Sequence, residues 1–202
     1  MASTFDRIAP ILMGDLIRDF GFKDFQAAGF VGNFGAESGL ISGRQEGTSG
    51  ATPYPIRGHT GGIDWPQWTG QGEGGRRKAF GDWVEQTGVP YPSYAASYGF
   101  VKYELQGAYK KAVTQVKKTT TLKAATETAE ALYEKAGIKN MASRLAFAEK
   151  ALTLYRALSP PIDPLAALKA DIAAYKEATD KRLAELEARI AATSAASAGA
   201  LP

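Results

Sequence analysis

Residues 30–40 read Phe30-Val31-Gly32-Asn33-Phe34-Gly35-Ala36-Glu37-Ser38-Gly39-Leu40. A helix predicted to begin near Asp24 carries Phe30, Val31 and Phe34, then breaks in the glycine-rich stretch between Gly35 and Gly43. If residues 25–37 form one helix, Glu37 lies three positions after Phe34 and seven after Phe30, so it projects from the face that those rings bury. A carboxyl at the edge of a core favours its protonated form, and a protonated carboxyl can give its proton to a leaving group. A glutamate turning into solvent at a frayed helix end is the competing reading, and spacing alone leaves both open.

Upstream, Phe5, Ile8, Leu12, Leu16 and Phe20 step by three or four residues between Ser3, which suits an N-cap, and Gly21, which suits a stop. Downstream, residues 41–72 are rich in Gly, Pro, Ser and Thr without helical period, so loops with short strands are expected, including a small β-hairpin. From Arg76 the helical period returns through Phe80, Trp83 and Val84, then Tyr94, Tyr98, Val101 and Leu105. It continues through Leu122, Ala125, Ala129 and Leu132, and finally Leu145, Ala148, Leu152 and Tyr155. The expected fold class is mainly α (α+β), with one domain over residues 1–159. Pro160, Pro161 and Pro164 cannot continue a helix and mark a Pro-rich linker opening residues 160–202. Beyond it, apolar positions at Leu165, Leu168, Ile172, Tyr175, Thr179, Leu183, Leu186 and Ile190 follow a coiled-coil pattern with a stutter. The other face of this extended amphipathic helix is charged, so a partner helix or self-association is expected, with a flexible Ser/Ala/Gly tail over residues 194–202.

Composition narrows the chemistry. With no Cys and one His among 202 residues, a disulfide framework, a thiolate nucleophile and multi-histidine or sulfur-ligated metal centres are excluded, and neither metal nor cofactor is expected. No stretch approaches eighteen apolar residues, and the first residues lack the pattern of an export signal, so neither stable membrane insertion nor an export signal is expected. Of the 22 Gly, 18 lie within residues 14–88, which puts the turns and close backbone approaches that shape a site in the front half. Residues 1–159 carry 19 basic and 15 acidic side chains, the surplus coming from Arg76, Arg77, Lys78, Lys102, Lys110, Lys111, Lys117 and Lys118. Without aromatic interleaving or a nucleic-acid module this does not point to nucleic acid, and many of these side chains read as solvated helix faces.

The stretch Gly32 to Leu40 resembles the Gly-Asn-x-x-x-Glu-Ser-Gly motif of the phage tail lysozyme domain family, within the lysozyme-like superfamily. Gln45-Glu46, Gly61-Gly62-Ile63, Pro66-Gln67-Trp68-Thr69-Gly70 and Arg76-Arg77 are similar to further elements of that family, in order. So are Tyr98-Gly99-Phe100-Val101-Lys102-Tyr103-Glu104-Leu105 and Tyr133-Glu134-Lys135-Ala136-Gly137 with Arg144. The resemblance covers about residues 5–157 and implies a lysozyme-like fold with the β element at a cleft. It further implies glycoside hydrolysis of peptidoglycan between N-acetylmuramic acid and N-acetylglucosamine, with Glu37 as general acid. Asp64-Trp65 and the insertion Gln71-Gly72-Glu73-Gly74-Gly75 depart from the pattern, and neither removes the glutamate.

Cleavage of a glycosidic bond needs an acid for the leaving oxygen and, in most cases, a second carboxylate to activate water or stabilise the sugar cation. Glu46 is ranked first for the second role and Asp64 is its competitor. Glu37, Glu46 and Thr52 also have the spacing of the site residues in T4-type phage lysozymes, although Thr69 is an equally sensible hydroxyl. If no second carboxylate serves, lytic transglycosylase chemistry becomes attractive, because the substrate's own hydroxyl then replaces water. Trp65 and Trp68 are candidates for stacking on sugar faces, and Trp83 is expected in the core. Gln67 suits the N-acetyl and hydroxyl groups of a wall sugar, or else closes the hairpin. The resemblance implies a virion-associated protein that digests the wall from a phage tail, in the host periplasm, with the C-terminal helix joining tail proteins or a second copy. An endolysin and a non-catalytic wall-binding tail protein are the alternatives.

Overall fold

Ser3 and Asp6 close a reciprocal capping box at the start of α1 (Thr4–Phe20), and Gly21, at φ 64°, ends it in the left-handed conformation that glycine adopts without strain. The same punctuation ends α2 (Asp24–Ser38) at Gly39, φ 65°. The later helices are α3 (Arg76–Thr87), α4 (Tyr94–Gln106), α5 (Lys110–Val116), α6 (Leu122–Ala129) and α7 (Met141–Leu158), and α6 runs directly into one turn of π-helix, Glu130–Glu134. The helices expected from periodicity up to Tyr155 are present, and α5 is an addition to them. This computed structural model describes residues 2–48, 54–137, 139–158, 175–176 and 179–186. The chain divides into two compact units, Met1–Leu158 and Ser159–Pro202.

Within the first unit α2 is the central element, with every residue from Gln26 to Gly35 buried. It can be surrounded because Gly29, Gly32 and Gly35 put a side-chain-free row along it. A Cβ on Gly29 would lie 2.8 Å from the Ala125 carbonyl carbon, one on Gly32 would lie 2.5 Å from the Arg144 carbonyl oxygen, and one on Gly35 would lie 2.5 Å from the Phe5 ring. The backbones of α6 and α7 thus pack against the bare α2 backbone. A second aromatic group, Trp68, Phe80 and Phe100, with ring centroids 4.4–5.2 Å apart, supports the long loop between α2 and α3.

That loop is where the expected β element needs correction. Among the described residues there is no strand, only two isolated antiparallel bridges, Gln45 with Ile63 and Ile63 with Trp68. Asp64 (φ 66°) and Gln67 (φ 53°) make the turn between the second pair, and Gly61 (φ 85°) and Gly70 (φ 85°) bend the chain on either side. Left-handed residues this close together stop the ladder after a single pair.

In the second unit residues 175–176 and 179–186 are helical, with Tyr175, Leu183 and Leu186 exposed. The remainder of the expected amphipathic stripe lies outside the described residues. No helix among the described residues is long and apolar enough to cross a membrane.

Candidate active site

Glu37 occupies the last turn of α2. Ser38 Oγ donates to the Phe34 carbonyl at 3.1 Å and accepts from the Leu40 N–H at 3.2 Å, so the helix end on which Glu37 stands is held rather than frayed. The C-terminus of a helix carries partial negative charge and disfavours a carboxylate. Two arginines offset this. Arg144, on α7 and 2% exposed, donates from Nη2 to Glu37 Oε1, and from Nη1 to Asn33 Oδ1 at 3.0 Å. Arg44 donates to the terminal Ser38 carbonyl at 2.9 Å. The surroundings of Glu37 are therefore an ion pair rather than the purely apolar edge that periodicity suggested. Asn33 is itself fixed, donating to the Gly29 carbonyl of α2 at 2.7 Å and the Thr126 carbonyl of α6 at 3.1 Å. It thereby links the α7 guanidinium to α2 and α6.

Glu37 opens on a cavity of about 490 Å³ whose walls include Arg44, Glu46, Pro66, Gln67, Thr69 and Glu134. Glu46 Oε2 accepts from the Gly62 N–H at 2.8 Å, which orients the carboxylate and leaves its other oxygen uncommitted among these contacts. Thr69 is exposed at the rim. Glu134 comes from the end of the π-helical turn and is 9% exposed, with Oε1 buried and without a hydrogen-bond partner. Burial pushes its carboxyl well above the usual carboxylate range; the Glu37 charge adds to that push, while Arg76 and Arg144 oppose it. The cleft thus contains three carboxyl groups, one ion-paired, one exposed and one shielded.

The match to known proteins fits this arrangement. A family model described as phage tail lysozyme matches residues 10–155, which include all three carboxyl groups. The chain belongs to the phage tail lysozyme family. No curated protein matches it. Family membership supports peptidoglycan hydrolysis as the activity and a virion-associated setting.

Within this lysozyme domain several expected roles change. Trp65 and Trp68 are fully buried, so neither can stack on a sugar. Trp68 packs on Phe80 and Phe100 and donates from Nε1 to Glu104 Oε2 at 2.9 Å, while Trp65 meets the Tyr94 ring edge-on. An indole is largely apolar, and a loop lacking regular ladders needs such anchors to hold its shape. Trp83 packs against the core, as expected. Asp64 is also fully buried: Oδ2 accepts from the Gly43 N–H and Oδ1 from the Trp65 N–H, and burial raises its carboxyl to about 6. It braces the loop and does not line the cleft. Gln67 does line the cleft, yet its Nε2 donates to the Arg44 and Asp64 carbonyls at 3.1 and 2.7 Å, which is the hairpin-closing role. Thr52 falls outside the described residues.

The Arg76-Arg77 pair is structural rather than a positive surface. Arg77 is fully buried and donates to the Ile56, Gly61 and Pro55 carbonyls and to Gln45 Oε1. Arg76 makes a bidentate pair with buried Glu104, at 2.8 Å through both Nε and Nη2, and Tyr133 Oη donates to the same carboxylate at 2.6 Å. This network joins α3 and α4 to the π-helical turn that carries Glu134. Sequence reasoning assigned no role to Arg144 or Glu134. The signal that could have found them was their place in the family-like elements Tyr133-Glu134-Lys135-Ala136-Gly137 and Arg144, and, for Arg144, a charge in the register of Met141, Phe147 and Ala148.

Proposed function

We propose that this protein is a muramidase that cleaves the β-1,4 bond between N-acetylmuramic acid and N-acetylglucosamine, with Glu37 protonating the leaving oxygen and Glu46 activating water. The observation that carries the reading is the opening of both carboxyl groups onto one cleft, with Glu37 oriented by Arg144 and Glu46 by the Gly62 N–H. Two carboxyl groups bordering the scissile bond are the usual complement for such hydrolysis, one protonating the leaving oxygen and the other activating water. Thr69, at the rim, helps to place that water, and Gln67 contacts the sugar through whatever capacity its two backbone bonds leave free. The setting that suits this activity is a phage tail, where local digestion of the wall assists infection. The exposed Tyr175, Leu183 and Leu186 support attachment of the C-terminal segment to a tail protein or a second copy.

Incubation with purified peptidoglycan and mass spectrometry of the released muropeptides tests the assignment. The wild type is expected to release reducing muramic acid ends; anhydro-sugar ends would instead identify a lytic transglycosylase. Glu37→Gln is expected to abolish release without loss of fold, and Glu46→Gln to lower the rate by about 10²-fold or more. Full activity of Glu37→Gln would sink the assignment, and an unaffected Glu46→Gln would remove that residue from the mechanism.

A further inference from the structure

Glu134 is unused by the mechanism so far, and its position is hard to explain as scaffolding. It ends a π-helical turn, an irregular element concentrated at functional sites, and the next residue, Lys135, leaves in the left-handed conformation at φ 54°. Neighbouring buried glutamates each hold a cation: Glu104 pairs with Arg76 and accepts from Trp68 and Tyr133, and Glu130, at the start of the same turn, pairs with Lys139 at 3.0 Å although its Oε1 is likewise unpartnered. Glu134 keeps one oxygen buried and unpartnered in the wall of the cleft that Glu37 enters. An ionised carboxylate there would lack hydrogen bonds on its buried oxygen and would face Glu37, so burial favours a proton on Glu134, while Glu37 is paired with Arg144.

We propose that Glu134 is the proton reservoir of the cleft, holding the proton in the free protein and passing it to Glu37, which delivers it to the leaving glycosidic oxygen. This rests on the reading of Glu37 as general acid. Bound saccharide brings the acceptor oxygen to Glu37. The Glu134 proton moves to the Glu37 carboxylate and from there to the glycosidic oxygen as the C1–O bond breaks, with the bond's electron pair staying on that oxygen. Water adds its oxygen to C1, and the proton it sheds passes through Glu46 and solvent back to Glu134. Each turnover consumes one water and restores both carboxyl groups.

The test compares Glu134→Gln and Glu134→Asp with the wild type over a range of pH, with Glu37→Gln in the same assay. Glu134→Gln keeps the shape but holds no transferable proton. It is expected to lower kcat roughly 10²-fold at neutral pH with KM little changed, and to recover as pH falls, because Glu37 must then draw its proton from solvent. Glu134→Asp keeps a protonatable carboxyl and is expected to retain more activity than the amide. A purely structural role predicts the reverse order, since the amide preserves packing and the shortened acid does not, so Gln equal to or better than Asp overturns the proposal. Loss of activity by folded Glu134→Gln at every pH also overturns it, because Glu134 would then be the direct acid. Should the amide variant fail to fold, carbon NMR titration of glutamate carboxyls in the wild type decides: Glu134 is expected to ionise well above the ordinary carboxylate range, and ionisation within that range refutes the reservoir. Activity in Glu37→Gln marks failure of the function assignment itself, whereas inactive Glu37→Gln with the wrong Glu134 order marks failure of the reservoir alone.

Discussion

Glu37, Glu46 and Glu134 have the same side chain and border the same cavity, yet their surroundings differ in the features that decide acid–base behaviour. Glu37 has a guanidinium, Glu46 has solvent and one backbone N–H, and Glu134 has a buried oxygen with no donor. Arg144 decides the first of these. It is buried, bonds Asn33 and the Lys139 carbonyl as well as Glu37, and so holds the acid in one rotamer. Arg144→Ala would leave Asn33 Oδ1 without its donor and Glu37 without its partner. Because Glu37 is itself a quarter exposed, the penalty is smaller than for a fully buried pair: about 2–4 kcal/mol of stability. We expect a lowered midpoint in urea unfolding together with lower kcat, since the carboxyl would be free to rotate away from the substrate. A variant of wild-type stability and rate would show that Arg144 positions nothing.

At the level of elements, α2 places the acid and its glycines allow it to be placed in the interior. Gly32→Ala sets two effects against each other. Alanine is the better helix former by about 1 kcal/mol. Its Cβ, however, would stand 2.5 Å from both the Ala148 Cβ and the Arg144 carbonyl oxygen, and 2.7 Å from the Ala148 nitrogen. Two of those three atoms are backbone, which no rotamer change relieves, so α7 must move away. Overpacking of this kind costs typically 1–3 kcal/mol and occasionally more, and we expect the loss to win. Because α7 carries Arg144, wall-degrading activity should fall in parallel. The paired measurement is a thermal melt with a peptidoglycan clearing assay; a variant stabilised by the helix-propensity gain would contradict the close approach of α2 and α7.

At the scale of the whole molecule, the division into Met1–Leu158 and Ser159–Pro202 suggests a division of labour. The first unit contains the core and the cleft, and the described part of the second exposes apolar side chains. A truncation ending near Ser159 is expected to keep full muropeptide release and to lose incorporation into phage particles, scored by immunoblot of purified virions. Incorporation at the wild-type level would mean that the C-terminal segment is not the anchor.

The amino-acid sequence by itself determined most helices of the first unit and put Glu37 on the helix face that Phe30 and Phe34 share. Helix ends depend on local chemistry, as Ser3, Gly21 and Gly39 illustrate, and the step from Phe30 through Phe34 to Glu37 is a property of the helical repeat alone. The family followed from the same stretch and its ordered companions. Only the tertiary structure decided which polar and aromatic residues meet at the cleft. Trp65, Trp68 and Asp64 lie within five residues of Gln67 and Thr69, yet they turn into the core while those two line the cavity. Alternation through a loop of left-handed residues cannot be read from spacing, because each positive φ resets the direction of the next side chain. Arg144 and Glu134 come from parts of the chain more than ninety residues beyond Glu37. Their charges acquire meaning only when α7 and the π-helical turn pack beside α2, since the energy of a charge depends on what lies within a few ångströms of it in space.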